Sequence, residues 1–398
     1  MGVYSGPNSE EDGLVLAIDV GNKKSFSPNV FPRGTDIYGW YVDTKGDANA
    51  ANSTLSRDTI SSPVGNTPLK MAVTNNDPHI TSYNSSIWNL ANAASGETWT
   101  ISVYVKASQS TTGELLIFGA NSSGTYVEIP NTTVNISTSW TRVSYTGTFS
   151  NANTAFLQMR LDGPNTGGAG IDVWWDGLQI ERGSTATEFT KEYTLDSSFN
   201  ERTLDLSGNS NNGTLQSVIS YNSDNGGYLN FNGSTDYITL PEISIAGNEI
   251  SFDVWNYGIT LKTSSIIFLT DSNEGRLLNV HLPWSNSTVY FDKGGDPSYD
   301  RISKSVSNSE YQGWHYWAFT ANASTGSMKI YLDGFLWHSG TGNNKVINDV
   351  TGTTRTIGKN DNNNYHRGYI SNLKLYKKEL TASQVTQNFN ALKGRYGL

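Results

Sequence analysis

The 398-residue chain has 36% hydrophobic and 12% aromatic residues, enough apolar material for more than one core, while the lack of any cysteine excludes disulfide staples, thiolate zinc sites and cysteine nucleophiles. Its net charge of −9 comes with Lys and Arg scattered rather than massed in a phosphate-binding stripe, and no stretch is apolar for long enough to cross a bilayer; nucleic-acid and membrane partners are not expected. The 39 glycines, with Asn, Ser and Thr filling the gaps between short apolar runs, point to an all-β chain rich in turns.

Residues 1–12 (MGVYSGPNSEED) read as a polar, flexible arm or an attachment peptide, and Glu10, Glu11 and Asp12 stand where an export signal would carry basic residues. GLVLAIDVGNKKSF (13–26) reads as a strand and turn. NVFPRGTDIYGWYV (29–42) opens a different unit, in which TWTISVYVKAS (98–108) alternates Ile101, Val103 and Val105 against Ser102, Tyr104 and Lys106. SWTRVSYTGTF (139–149), TAFLQMRLDG (154–163) and IDVWWDGLQIERG (171–183) follow as strands between Gly- and Asn-rich turns.

Downstream, DLSGNSNNGTLQ (205–216), YLNFNGSTDYITLP (228–241), GWHYWAFTANASTGSMKIYLDG (313–334), RTIGK (355–359) and NLKLY (372–376) continue the strand pattern. Asp333-Gly334 closes a tight hairpin turn, because this pair tolerates positive φ. Leu373 and Leu375 alternate with Asn372 and Lys374, predicting a strand with one buried face. In LTASQVTQNF, Thr381 and Gln384 form a capping box, Leu380 and Val385 sit at staple spacing, and Val385, Phe389 and Leu392 share one apolar face, predicting a short C-terminal helix. Trp140, Trp314, Trp317 and one of Trp174 and Trp175 are assigned to sandwich interiors.

The order of the downstream pieces resembles the laminin-G-like, concanavalin A-like sandwich, a fold that commonly holds sugars. The upstream strands, closing in GSTATEF (183–189), resemble family 4/9-like carbohydrate-binding jelly rolls. Because GLVLAIDVGNKKSF is a laminin-G-like opening whose continuation comes only at 205–216, the expected organisation is an all-β pair of sandwiches, one inserted in the other: an arm at 1–12, a discontinuous sandwich at 13–27 and 194–398, and a jelly roll at 28–193. The competing organisation is a linear pair of domains, with 13–26 an edge strand of the first.

Glycosidases of the concanavalin A-like fold need paired carboxylates on one strand, in a Glu-x-Asp-x-x-Glu arrangement. Here Glu242, Glu249, Asp253, Glu274 and Asp333 fall singly, on turns or strand ends, and Asp271 and Glu274 share only a turn. The five histidines (His79, His281, His315, His338 and His366) lie outside any Gly-x-Ser-x-Gly or zinc-ligand spacing and read as polar surface or hairpin residues. No phosphate loop is present. Catalysis is not expected.

Glycan recognition asks instead for rings beside polar side chains. Trp284, Tyr299, Trp337, Tyr365 and His366 in the downstream unit, with Tyr83 and Trp88 upstream, stand in polar, turn-rich segments and are the candidate contacts; packing beneath a loop is the competing reading for each. The jelly-roll resemblance further implies a structural calcium held by Asp176 with Asp36, although an opening Glu is missing and Gly177 replaces a second acid, which leaves a capped turn as the plain reading. Asp236 and GKNDNNN (358–364) are two further oxygen-rich turns.

The two modules together, with the GLVLAIDVGN and LTASQVTQNFN phrases, resemble virion fibre or decoration proteins of tailed bacteriophages, marine phages in particular. That resemblance implies a non-enzymatic virion-surface protein made in the host cytoplasm, forming a homo-oligomer such as a trimer, and engaging glycans and other virion proteins. A purely structural decoration protein is the alternative, and a polysaccharide-degrading enzyme the remote one.

Overall fold

Strands account for nearly all the regular structure in the computed structural model, which describes residues 8–27, 40–42, 52–65, 68–82, 90–189, 201–217, 219–270, 273, 275–295, 298–348 and 354–398. Contacts divide the chain into two units, Met1–Phe26 with Arg202–Leu398, and Ser27–Glu201. Each is an antiparallel β-sandwich with its own core.

In the first unit, one eight-stranded sheet runs Ser220–Asn222, Tyr228–Asn232, Arg367–Tyr376, Glu249–Gly258, Gly313–Asn322, Ser327–Leu332 and Phe335–Gly340, with Leu14–Asp19 as its eighth strand. The long strand Arg367–Tyr376 pairs with Glu249–Gly258 on one side. On the other it pairs first with Tyr228–Asn232 and then with Leu14–Asp19. Strand alternation sends Leu16, Ile18, Phe252, Val254, Trp317, Phe319, Leu373 and Leu375 into the core. The facing sheet runs Arg202–Thr203, Gly213–Gln216, Tyr237–Thr239, Arg355–Ile357, Ile267–Thr270, Arg276–Trp284, Thr288–Lys293 and Asp300–Ser305.

The C-terminal helix, Ala382–Leu392, forms as the capping box dictates: Thr381 accepts from the Gln384 amide, and Gln384 reaches back to the Thr381 amide. Leu380, Val385, Phe389 and Leu392 settle on the outer face of the first sheet, against Trp255, Tyr316, Ala318, Tyr331 and Tyr376. This covering corrects the one-sided reading of 372–376, since Asn372 and Lys374 are buried as well. It likewise corrects Asp253, which lies mid-strand rather than at a strand end. There it is fully buried and accepts from Tyr316 Oη at 3.0 Å and Asn388 Nδ2 at 2.8 Å.

Residues 8–12, expected to belong to a flexible arm, are tied to the same helix. Glu10 N donates to Asn388 Oδ1 (2.7 Å), and Gln387 Nε2 to the Asn8 carbonyl (2.7 Å). Residues 1–7 lie outside the described residues. The Asp333-Gly334 turn is left-handed at both positions (φ 50° and 83°), the geometry that a two-residue hairpin requires.

In the second unit, a five-stranded sheet (Thr141–Thr148, Thr98–Ala107, Asp172–Arg182, Leu69–Val73, Ser53–Arg57) faces a seven-stranded one built around Thr111–Ala120 and Phe156–Asp162. Trp99, Ile101, Val103, Val105, Val173 and Trp175 are core. Ser102, on the polar side of that alternation, is buried too, as is Thr100. The chain after the 172–182 strand is bonded to the far side of that sheet, with Arg142 donating to both Ser102 Oγ (2.8 Å) and the Thr187 carbonyl (2.6 Å). Trp140 is a correction: it is half-buried outside the core, its indole donating to the Ser61 carbonyl at 2.9 Å. Trp314 is also half-buried, packed beside the helix cluster rather than between the sheets.

Candidate functional site

Three neighbouring strands of the second sheet of the first unit, Arg276–Trp284, Thr288–Lys293 and Asp300–Ser305, set their apolar residues (Leu278, Val280, Leu282, Val289, Phe291, Ile302) into the core. Alternation therefore turns Asn279, His281, Tyr290, Asp292 and Arg301 to the opposite, outer face. Register then lines them up, because Asn279 stands opposite Asp292, Asp292 opposite Arg301, and His281 opposite Tyr290.

Asp292 is fully buried and is the hub of this face. Arg301 forks onto it through Nε (2.5 Å) and Nη2 (2.8 Å), Arg276 Nη1 donates at 2.7 Å, and Asn279 Nδ2 at 3.1 Å. The Asn279 carbonyl oxygen accepts from Ser265 Oγ at 2.8 Å, and its amide also meets His281 Nε2 at 3.0 Å. His281 Nδ1 lies 2.7 Å from the Ser264 carbonyl, which accepts only from a protonated nitrogen, so Nε2 is the acceptor and the ring is neutral. Burial lowers its pKa to about 4, in keeping with that tautomer. Over this floor the Tyr299 ring lies 4.8 Å from the Arg276 guanidinium and 5.2 Å from that of Arg301, which also sits 4.8 Å from Tyr290. Trp284 stands edge-on to His281 at 4.3 Å.

Of the sequence candidates, Tyr299 and Trp284 thus belong to this face, Tyr299 beside the two guanidiniums and Trp284 beside His281. Tyr299 is exposed and Trp284 half-buried. Tyr365 belongs to a separate half-buried cluster with Tyr237, 6.0 Å away, and the Lys359 ammonium lies over both rings. Trp337 is corrected from a loop to the strand Phe335–Gly340. It packs edge-on against core Trp317 at 5.2 Å and donates to Glu310 at 2.8 Å. His366 is corrected from rim to interior: it is 3% exposed, bonded to Asn256 Oδ1 at 2.9 Å, and burial brings its pKa to about 4. His79 and His281 are buried too, against the surface reading. Tyr83, Trp88 and Asp36, like Asp271 and Glu274, lie outside the described residues.

Calcium takes six to eight oxygen ligands. Asp176 is instead met by two hydrogen-bond donors, Ser62 Oγ and the Gly177 amide, and burial raises its pKa. Asp236 accepts from Ser217, Thr235 and both the amide and side chain of Asn232. Asn360 caps its own turn through the Asn362 and Asn364 amides. Among the described residues no group of three or more His, Cys, Asp or Glu side chains could hold a metal ion, and Asp36, the expected partner of Asp176, lies outside them.

The residues of this face that motif reasoning missed are Arg276, Asn279, His281, Tyr290, Asp292 and Arg301. Their signal was a period of two, with polar or aromatic side chains at 279, 281 and 290 between apolar ones and Asp292 directly after Phe291.

Residues 232–386 match the family described as the concanavalin A-like lectin/glucanases superfamily (Laminin_G_3), so the first unit carries a domain of that superfamily. The search of curated proteins found no match. Among solved structures, the binding domain of botulinum neurotoxin DC in complex with rat synaptotagmin II is similar at 17% identity and a TM-score of 0.38, over 50% of each chain. Domain 4 of AbnA, a GH43 extracellular arabinanase from Geobacillus stearothermophilus in complex with arabinotriose, is similar at 22% identity and a TM-score of 0.39, over 46% of this chain and 91% of that one. The binding domain of Paraclostridial Mosquitocidal Protein 1 gives 14% identity and a TM-score of 0.40, over 48% of this chain and 49% of that one. The chain spans about half the length of the botulinum neurotoxin binding domains it matches.

Proposed function

We propose that this is a non-catalytic glycan-binding protein of a tailed-phage virion surface, a tail fibre or capsid decoration. The observation that carries the binding reading is the outer face around Asp292, where rings, an amide and two guanidiniums converge at one end of a lectin-type sheet. Glycoside hydrolysis needs two carboxyl groups about 5–10 Å apart, one of them delivering a proton. Asp292 is committed to three donor side chains, and the neighbours that share its row are Asn279 and Arg301. Such a face suits weak, repeated engagement, with avidity coming from many copies on a particle or from a homo-oligomer such as a trimer. The virion placement rests on the sequence resemblance.

A glycan array probed with the assembled full-length protein, with and without a chelator, tests the reading. Sugar binding is expected in both conditions, and a signal lost with the chelator would instead bring calcium into the site. Silence in both would favour the second reading, a structural decoration protein. One observation speaks for that reading: Phe335 (74% exposed) and Leu336 (57%) open the edge strand Phe335–Gly340, an apolar edge, unpaired among the described residues and suited to a neighbouring subunit.

A further inference from the structure

We infer that the face around Asp292 binds the acidic groups of glycans, a carboxylate or sulfate held between Arg276 and Arg301. The inference rests on the glycan-binding reading and narrows it to a ligand class. Among the described residues two guanidiniums converge on a single carboxylate, which makes that trio net positive on a chain whose net charge is −9. His281 adds no charge, since its geometry fixes it as the neutral tautomer.

Each guanidinium carries five donors in a planar fork. Asp292 uses Nη1 of Arg276 and Nε and Nη2 of Arg301. Among the described residues no acceptor meets Nε and Nη2 of Arg276 or Nη1 of Arg301. The two side chains stay 30% and 35% exposed, while the carboxylate beneath them is sealed at 0%. Asp292 thus orients the pair without being reachable itself, and the outward donor edges are what a ligand meets. Tyr299, stacked over both cations, holds them in place and offers a ring edge beside the anion site. A planar carboxylate or a sulfate matches the guanidinium fork, whereas a neutral sugar hydroxyl leaves the positive charge uncompensated.

Titration calorimetry on the full-length protein can test this with paired probes. One pair is an oligogalacturonate and its methyl-esterified form, and the other a sulfated galactan oligosaccharide and its desulfated form. The acidic member of at least one pair is expected to bind about tenfold tighter than its neutral counterpart, roughly the scale of one charge-assisted contact. That advantage should shrink between about 25 mM and 300 mM salt, as exposed charge pairs are screened. Arg276→Gln should remove most of it. Tyr299→Ala, which leaves the ion pairs to Asp292 intact, should weaken acidic binding with an unchanged unfolding midpoint, separating site loss from fold loss. Equal affinity within both pairs, or an acidic advantage that survives both substitutions, overturns this inference while leaving glycan binding standing. Absence of binding to any sugar on a broad array overturns the glycan reading and this inference together.

Discussion

His366 sits in the interior with its Nε2 on Asn256 and its ring edge-on to Phe231 at 6.0 Å. Burial lowers its pKa from 6.5 to about 4, so the folded state binds its proton less readily than the unfolded chain does. Stability from the neutral ring is therefore complete above pH ~6.5 and is lost as pH falls towards ~4, by about 3 kcal/mol across that window. A His366→Gln variant keeps a side-chain amide for Asn256 and has no proton to gain. Urea unfolding at pH 7, 5 and 4 should show wild type losing stability relative to the variant by roughly that amount; parallel pH profiles would mean the ring is solvated. Arg301 makes the same point with opposite sign, since its fork on the sealed Asp292 favours the charged form and raises its pKa. Truncating it to Ala would leave a buried carboxylate short of two donors, which is why the binding test uses Arg276 and Tyr299.

At the scale of elements, the hairpin at 333–334 and the C-terminal helix meet. Gly334 has φ 83°, and a Cβ there would lie 3.0 Å from the Phe389 ring of the helix. Gly334→Ala combines left-handed strain with that crowding and should cost about 1–2 kcal/mol. Thr381→Ala, which deletes the helix cap, should cost about 1 kcal/mol. Thermal unfolding of the two single variants and the double variant checks both, and near-additive effects are expected because the cap and Phe389 lie two turns apart. These two elements were legible in the sequence because their determinants are local: turn chemistry acts within two residues and a capping box within four.

The outer-face row was not legible in that way. Asn279, Asp292 and Arg301 are separately unremarkable polar positions, and only the register of three strands brings them onto one carboxylate. His366 was misread for the same reason. Its polar neighbours NDNNNY describe the turn, while the partner that buries it, Asn256, is 110 residues away in sequence. The helix covering 372–376 likewise changed a half-buried strand into a fully buried one, an effect invisible to the strand's own alternation.

For the whole molecule, the telling detail is where the chain leaves the first sandwich and where it returns. Strand Leu14–Asp19 pairs with the second half of Arg367–Tyr376, and Leu16, Ile18, Val20 and Phe26 are core residues of the first unit. On the return, Leu204 N donates to the Ser25 carbonyl at 2.5 Å, Ser25 Oγ donates to the Leu204 carbonyl at 2.7 Å, and Ala17 N donates to Asp205 Oδ1 at 2.8 Å. Residues 25 and 204 are thus adjacent within one body, and a linker of about four residues is long enough to join Phe26 to Arg202. Replacing residues 27–201 with such a Gly/Ser linker should leave a first unit that unfolds cooperatively and keeps its near-ultraviolet tryptophan signal, since its core receives no strand from the described residues of the removed segment. Deleting residues 1–26 instead should abolish cooperative unfolding of 202–398, because it strips a paired strand and four buried side chains from one core. A linear pair of domains makes the opposite forecast for both truncations: residues 1–26 would be dispensable to the C-terminal body, and loss of 27–201 would leave them without a partner. Circular dichroism of the two truncated chains decides between these organisations, and it also establishes whether the Asp292 face can be studied in a unit of its own.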